Sequence, residues 1–283
     1  MAIEHSRETF ETALRRFVES LASHTEQPNG QWTVKGFIDA FRNVYTISSD
    51  TKIVSKILEI HIFPLMLKFA SDNRYKLVLA THQNYYPDIS FVSEQDETLR
   101  FAVDFKTTYR IRGREQFCNG FTLGSHGTYF VDRTSTKNIQ FPYASYAAHY
   151  SLGIIYDRAS EATIDETAVY GIEQLESITS VISNLQFFVA EKWRIASDKG
   201  GSGNTANIGS INYIPDIIAG RGMFSTLGEE WFDDYWMNFG RITVVQPDGE
   251  TKVVRDLPSF VTYRGGDLSL IRKRYTFKGG SGE

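Results

Sequence analysis

Two aspartates and a lysine stand at the margins of apolar, strand-like segments: Pro87-Asp88 leads into Ile89-Ser90-Phe91-Val92, and Asp104-Phe105-Lys106 closes Phe101-Ala102-Val103. Charges there are costly unless they are paired or do chemistry. Alternation along 98–109 sends Phe101, Val103 and Phe105 to one face and Ala102, Asp104 and Lys106 to the other. Asp88, following a proline that fixes the local backbone, reaches the same point if its strand pairs beside this one. Fifteen residues separate the two aspartates, enough for a strand, a turn through Ser93-Glu94-Gln95-Asp96 and a return. That is a hairpin.

Two carboxylates converging on one point suit a hard cation such as Mg²⁺, which takes few protein oxygens and completes its shell with water and phosphate oxygens. A phosphodiester is the natural substrate of such a site. The cation activates water, and Lys106 steadies the attacking hydroxide or the charge developing on the phosphorane. The same Asp-x-Lys spacing also describes a solvated pair on an exposed strand face. Glu59, set between apolar neighbours, is either a helix-surface residue or an acid turned inward toward the cation.

The elements that must position these groups are readable in outline. Phe10, Leu14, Phe17, Val18 and Leu21 recur at helical spacing, which predicts an amphipathic helix over 7–22. A second helix begins at Ser49-Asp50-Thr51 and carries Ile53, Val54, Ile57 and Leu58, with a kink or interruption expected at Pro64. Strands are expected at 75–80, 98–109, 152–156 and 185–195, and helices at 142–150, 215–219 and 229–239. The loop SDKGGSGNTANIGS, 197–210, is too rich in Gly, Ser and Asn to read as regular structure. Helices mixed with strands give an α/β or α+β class.

At 283 residues and 41% hydrophobic, the chain can bury a full core. Its single cysteine, Cys118, excludes an intramolecular disulfide and a multi-cysteine zinc site. The polar N-terminus is not a signal peptide, and the apolar run 57–66 is broken by Glu59, His61 and Pro64. A soluble, cytoplasmic protein without membrane partners is the expectation. Net charge is −4 and pI about 5.9, yet 106–137 holds six Lys/Arg against two Asp/Glu, and 241–278 eight against four. An acidic body with two basic segments is compatible with a focused polyanion site; so is scattered loop charge.

The segment GGSGNTANIGS, 200–210, has neither the GK[ST] ending of a phosphate loop nor the GxGxxG of a dinucleotide fold. Asn204, Thr205 and Asn207 can pair with base edges or phosphates, and the glycines admit close backbone approach. A flexible surface loop has the same composition.

Taken together, these residues resemble the EcoRV family of type II restriction endonucleases, within the PD-(D/E)xK nuclease superfamily. The resemblance runs with gaps from about Ser49 to about Gly265, through SDTKIVSKILE, NYYPDI, AVDFKTTY, FTLG, TKNIQFPYASYAAH, EKWRIASD, GSGNTANIGSI and DYWMNF. It implies a restriction-endonuclease-like α/β fold, a mixed central β-sheet flanked by helices, with a DNA-binding and a dimerisation subdomain. It further implies one domain over 1–283: an N-terminal helical and dimerisation part at about 1–48, a catalytic and DNA-binding core at about 49–265 and a tail at about 266–283.

The implied activity is Mg²⁺-dependent cleavage of duplex DNA by a homodimer at a palindrome, GATATC, cut at its centre to blunt ends with a 5′-phosphate. A DNA-binding protein without cleavage, or a structure-selective repair or junction nuclease, are the alternatives. By the resemblance, Asp88, Asp104 and Lys106 form the catalytic triad and Glu59 the auxiliary acid, with Asp88, Asp104 and Glu59 toward the metal. Gly201, Ser202, Gly203, Asn204, Thr205, Ala206 and Asn207 match the recognition loop. Gln83 and Asn84 match a minor-groove loop, and Thr51, Lys52, Thr107, Thr108 and Lys137 match backbone contacts. The chain departs from the family's pattern at Ala206, Tyr85 and His82, where threonine, histidine and glutamine are usual.

Overall fold

The computed structural model describes residues 2–82, 84–160, 164–201, 206–245, 249–273 and 275. Helix α1 (Ala2–Thr25) is longer than the spacing predicts, and Phe10, Leu14, Val18 and Leu21 are its buried stripe. Helix α2 (Thr51–Asp72) opens at Asp50, whose carboxylate accepts from the backbone N–H of Lys52 and Ile53 at 2.9 and 3.3 Å. The helix runs on through Pro64, contrary to the expected break. Pro64 is exposed, while Ile62, Met66 and Phe69 are buried on the opposite side, so packing holds the turn that the proline weakens.

Between the two helices lie β1 (Gly36–Ile38) and β2 (Asn43–Thr46), which pair with β9 (Val169–Gly171) in a small antiparallel sheet. The central sheet has the order β10-β8-β5-β4-β3, from β3 (Tyr75–Leu79), β4 (Ile89–Ser93), β5 (Arg100–Ile111), β8 (Ala148–Arg158) and β10 (Ile182–Glu191). β6 (Arg114–Cys118) also pairs with β5. The β5–β8 pairing is parallel and the others antiparallel, so the sheet is mixed and flanked by helices, as the resemblance implies.

Helices α1 and α2 cover one face, where Phe101, Val103 and Phe105 join their apolar stripe; the Phe10 and Phe101 rings stack 4.1 Å apart. Ala102, Ile155 and Phe188 face the other way, into a core built with the C-terminal elements. The alternation read along β5 is therefore the division between two cores. A third sheet, ordered β11-β12-β7, joins β7 (Thr122–Ser125), β11 (Ala196–Gly200) and β12 (Asn207–Ser210). Short helices α3 (Thr128–Val131), α4 (Lys192–Ile195) and α5 (Ile214–Ile218), then α6 (Glu229–Asn238), the hairpin β13 (Thr243–Val245) and β14 (Thr251–Val253), and α7 (Leu257–Tyr263) complete the described chain.

Three expectations are corrected. The helix at 142–150 is a single 3-10 turn, Tyr143–Ser145, followed by β8. Ala148 to Tyr156 is buried without interruption, and a strand buried on both faces shows no alternation by which to recognise it. The strand at 185–195 ends at Glu191, and 192–195 forms the helical turn α4. The loop 197–210 is regular at both flanks, with Ala196 opposite Ser210 and Gly200 opposite Ile208. A Cβ on Gly209 would lie 2.6 Å from the Lys199 carbonyl oxygen, so glycine there serves close strand approach rather than looseness. Among the described residues no helix is long and apolar enough to cross a membrane.

Candidate active site and nucleic-acid interface

The β4–β5 register sets Ile89 opposite Val103, so one residue earlier on β4 brings Asp88 beside Asp104. The hairpin expected from sequence delivers the two carboxylates to one point. Asp88 Oδ2 accepts the backbone N–H of Phe105 at 2.7 Å, which ties this side chain to the partner strand. Asp104 is 7% exposed. Lys106, on the same strand face, places Nζ 2.5 Å from Asp104 Oδ2.

Burial and the adjacent charges split the two acids. Burial pushes Asp88 up to about 8, reinforced by the charge of Asp104 and a hydrogen bond between the two carboxyls, against the pull of Lys106. Burial also opposes ionisation of Asp104, yet the Lys106 ammonium, the hydrogen bond to Asp88 and the more distant Lys192 together hold it below the usual carboxylate range. Lys106 loses to burial but gains more from Asp104 and Asp88, and stays above its ordinary value. Without a cation the pair therefore favours holding one proton between them, with Asp88 the more basic of the two.

Asp88 and Lys106 open onto a cleft of about 1220 Å³, bounded by α2 on one side and by β5 and the start of β7 on the other, with Asp104 buried behind them. Thr51, Lys52, Thr107 and Thr108 all line it, as does Glu59. Glu59 Oε2 is held by Lys56 Nζ at 2.7 Å. Its charge reaches Asp88, but among the described residues no cluster of three or more acids, histidines or cysteines forms a metal cage. Two facing carboxylates beside open space fit Mg²⁺, which keeps several waters and takes phosphate oxygens, better than they fit a cation needing an all-protein shell.

Asn84 is exposed in the turn leading to Asp88, and Gln83 lies outside the described residues. Lys137 is exposed on the segment after α3 and does not line the cleft. Ser202, Gly203, Asn204 and Thr205 lie outside the described residues; the neck of their loop does not. The N–H of Gly201 donates to the Asn207 carbonyl at 2.8 Å, and Ala206 accepts the His126 N–H at 3.0 Å. A Cβ on Gly201 would come within 2.9 Å of Thr122 Oγ1, and Thr122 itself lines the cleft. The loop thus springs from the cleft wall. Its base is braced from behind, where Tyr235 Oη donates to the Asp198 carbonyl at 2.6 Å.

Two lysines escaped the sequence reading. Lys192 is buried with no hydrogen-bond partner among the described residues, its ammonium 5.1 Å from the ring centres of Tyr86 and Phe130. Burial lowers it to about 7. The available signal was Glu191-Lys192 at the end of an apolar strand. Lys56 carried a fainter one, three residues before Glu59 on one helix face.

Residues 28–265 match the family model described as Restriction endonuclease EcoRV. The chain is also similar to the type II restriction enzyme EcoRV of Escherichia coli, 36% identical over 221 residues that cover 78% of this chain and 87% of that protein.

Proposed function

Because the chain belongs to the EcoRV restriction endonuclease family, a family of type II phosphodiester hydrolases that bind DNA, we propose that it is a site-specific deoxyribonuclease using Asp88, Asp104 and Lys106. Its target is GATATC in duplex DNA, cut at the centre to blunt ends with a 5′-phosphate, and its working form is a homodimer. The observation that carries this reading is the pairing of Asp104 with Asp88, which together with Lys106 lines a cleft from whose wall the Gly201–Asn207 loop also springs.

Asp88 and Asp104 would hold Mg²⁺, with Glu59 supplying charge from α2. When bound, the cation polarises the phosphodiester and lowers the pKa of water. With a cation held there, Asp88 would be ionised, since a dication outweighs the single charge of Asp104. Asp104, already ionised, anchors the Lys106 ammonium. Lys106 stays protonated and offsets negative charge on the phosphoryl oxygens as they crowd during attack. Lys52, Thr51, Thr107 and Thr108 bind the backbone along the cleft, contacts that position the duplex without reading it. The recognition loop, Gly201 to Asn207, reads base edges in the major groove, with Gln83 and Asn84 at the minor groove and Lys137 on the backbone. Central TA steps bend easily, which adds selectivity at base pairs the loop does not touch.

The exposed sheet of β1, β2 and β9 supports the dimer. Phe37, Ile38 and Val169 are more than half exposed there, and Phe41 at the β1–β2 turn is 86% exposed. A cluster of this kind marks an interaction surface. Within one domain over 1–283, the dimerisation part at about 1–48 offers this sheet for pairing while α1 is committed to the core at about 49–265.

The test is digestion of a plasmid carrying GATATC with Mg²⁺, followed by run-off sequencing of the ends. Discrete blunt fragments are expected. Uncut plasmid would leave a binding protein, and a smear or a preference for branched DNA would leave a structure-selective nuclease.

A further inference from the structure

The acid on α2 is not free to serve a metal. Lys56 Nζ lies 2.7 Å from Glu59 Oε2, one helical turn away, and both side chains line the cleft that holds Asp88 and Lys106. Their exposures differ: the Lys56 side chain is 70% exposed and that of Glu59 only 23%. The ammonium therefore sits toward the mouth, where a DNA phosphate would arrive, and the carboxylate sits deeper. Lys52 lies one turn earlier on the same wall.

Resting on the nuclease reading above, we propose that Lys56 is an internal counter-ion of the metal site: it pairs with Glu59 before DNA enters, then exchanges that carboxylate for a backbone phosphate, releasing Glu59 to favour the divalent cation at Asp88 and Asp104. An exposed ion pair contributes little net stability, so the exchange of partners is cheap. A phosphate competes well for a lysine because counter-ion release from the duplex drives the contact. The hydrogen bond to Glu59 and that carboxylate's charge raise the Lys56 pKa against burial, so the ammonium is held by the very acid it is proposed to release. The effect couples substrate to cofactor: DNA strengthens metal binding without touching either aspartate.

The full-length chain tests this with two binding measurements that need no turnover. Mn²⁺, the paramagnetic stand-in for Mg²⁺, is titrated without DNA and followed by electron paramagnetic resonance; a short duplex is titrated in EDTA at several salt concentrations. Lys56→Gln is expected to tighten Mn²⁺ by about two- to fivefold, the range an exposed ion pair's competition supplies. It is also expected to flatten the salt dependence of duplex binding by about one unit of slope per subunit. Lys56→Arg should keep both properties near those of the unaltered chain. Lys68→Gln removes a lysine of the same helix that pairs with Asp72 at 2.8 Å and does not line the cleft, and should leave Mn²⁺ affinity unchanged. Unchanged or weaker Mn²⁺ binding in Lys56→Gln, an unchanged salt slope, or an equal effect from Lys68→Gln overturns the proposal. Failure of the nuclease reading itself would look different, since the unaltered chain would then neither bind Mn²⁺ nor cut plasmid.

Discussion

Asp88 accepts the backbone N–H of Phe105 at 2.7 Å, so the first acid of the site is fastened to the strand that carries the second. The strand register brings the two acids together, and this bond aims one of them. A side chain fixed in this way loses little freedom when a cation arrives.

Asp104→Asn should abolish plasmid cleavage while the thermal unfolding midpoint moves little. The substitution leaves Lys106 without its 2.5 Å partner but also removes the charge that opposes ionisation of Asp88, which can then serve Lys106 instead, and these two effects oppose each other. Lys106→Ala should lower the cleavage rate by about 10²–10³ with Mn²⁺ binding retained. Cleavage surviving in Asp104→Asn would mean the site lies elsewhere.

The proton on Asp88 makes a pH prediction. Its folded pKa of about 8 lies above the ordinary 3.8, so the folded chain binds more protons than the unfolded one between those values. Stability from this group is full below about 4 and is lost as pH rises toward about 8. Buried His149 and Lys192, whose pKa values are lowered by burial, act in the opposite sense. The prediction therefore concerns a difference: without metal, the unfolding midpoint of the unaltered chain relative to Asp88→Asn falls as pH rises through this window. Mg²⁺ uptake over the same range should release a proton, which calorimetry in buffers of different ionisation heat would detect. A pH-independent difference in midpoints would contradict the assigned proton.

Phe41→Asp should convert dimer to monomer. At 86% exposure the side chain supports little of the subunit's own fold, so the monomer's stability should stay within about 0.5 kcal/mol. Sedimentation velocity reads the mass, and a plasmid assay should show nicking replace double-strand breaks. A dimer that persists unchanged would move the interface to another surface.

Gly153→Ala tests the support beneath Lys106. Gly153 on β8 pairs in register with Lys106 on β5, and a Cβ there would fall 2.0 Å from the Phe188 ring. Overpacking of this kind costs about 1–3 kcal/mol. Denaturant unfolding should show that loss, and an unchanged midpoint would mean the ring moves aside freely.

The site was legible where its signal was local. Alternation along Phe101 to Lys106 assigned each side chain to a face, and fifteen intervening residues allowed only a short return between Asp88 and Asp104. The small antiparallel sheet that carries Phe37 and Val169 was not legible. Its strands are three or four residues long and come from segments more than a hundred residues apart, so neither half shows a pattern alone.

By itself, then, the sequence determined which residues could do chemistry and which strand face carried them, because side-chain alternation is a property of the backbone at each residue. Tertiary structure decided what surrounds those residues. It made Ala148 to Tyr156 a central strand rather than a helix, put Lys192 among aromatic rings, and gave Glu59 to Lys56 before any metal could claim it. Burial, pairing and pKa depend on neighbours brought from distant parts of the chain, and a linear pattern does not specify which of them will meet.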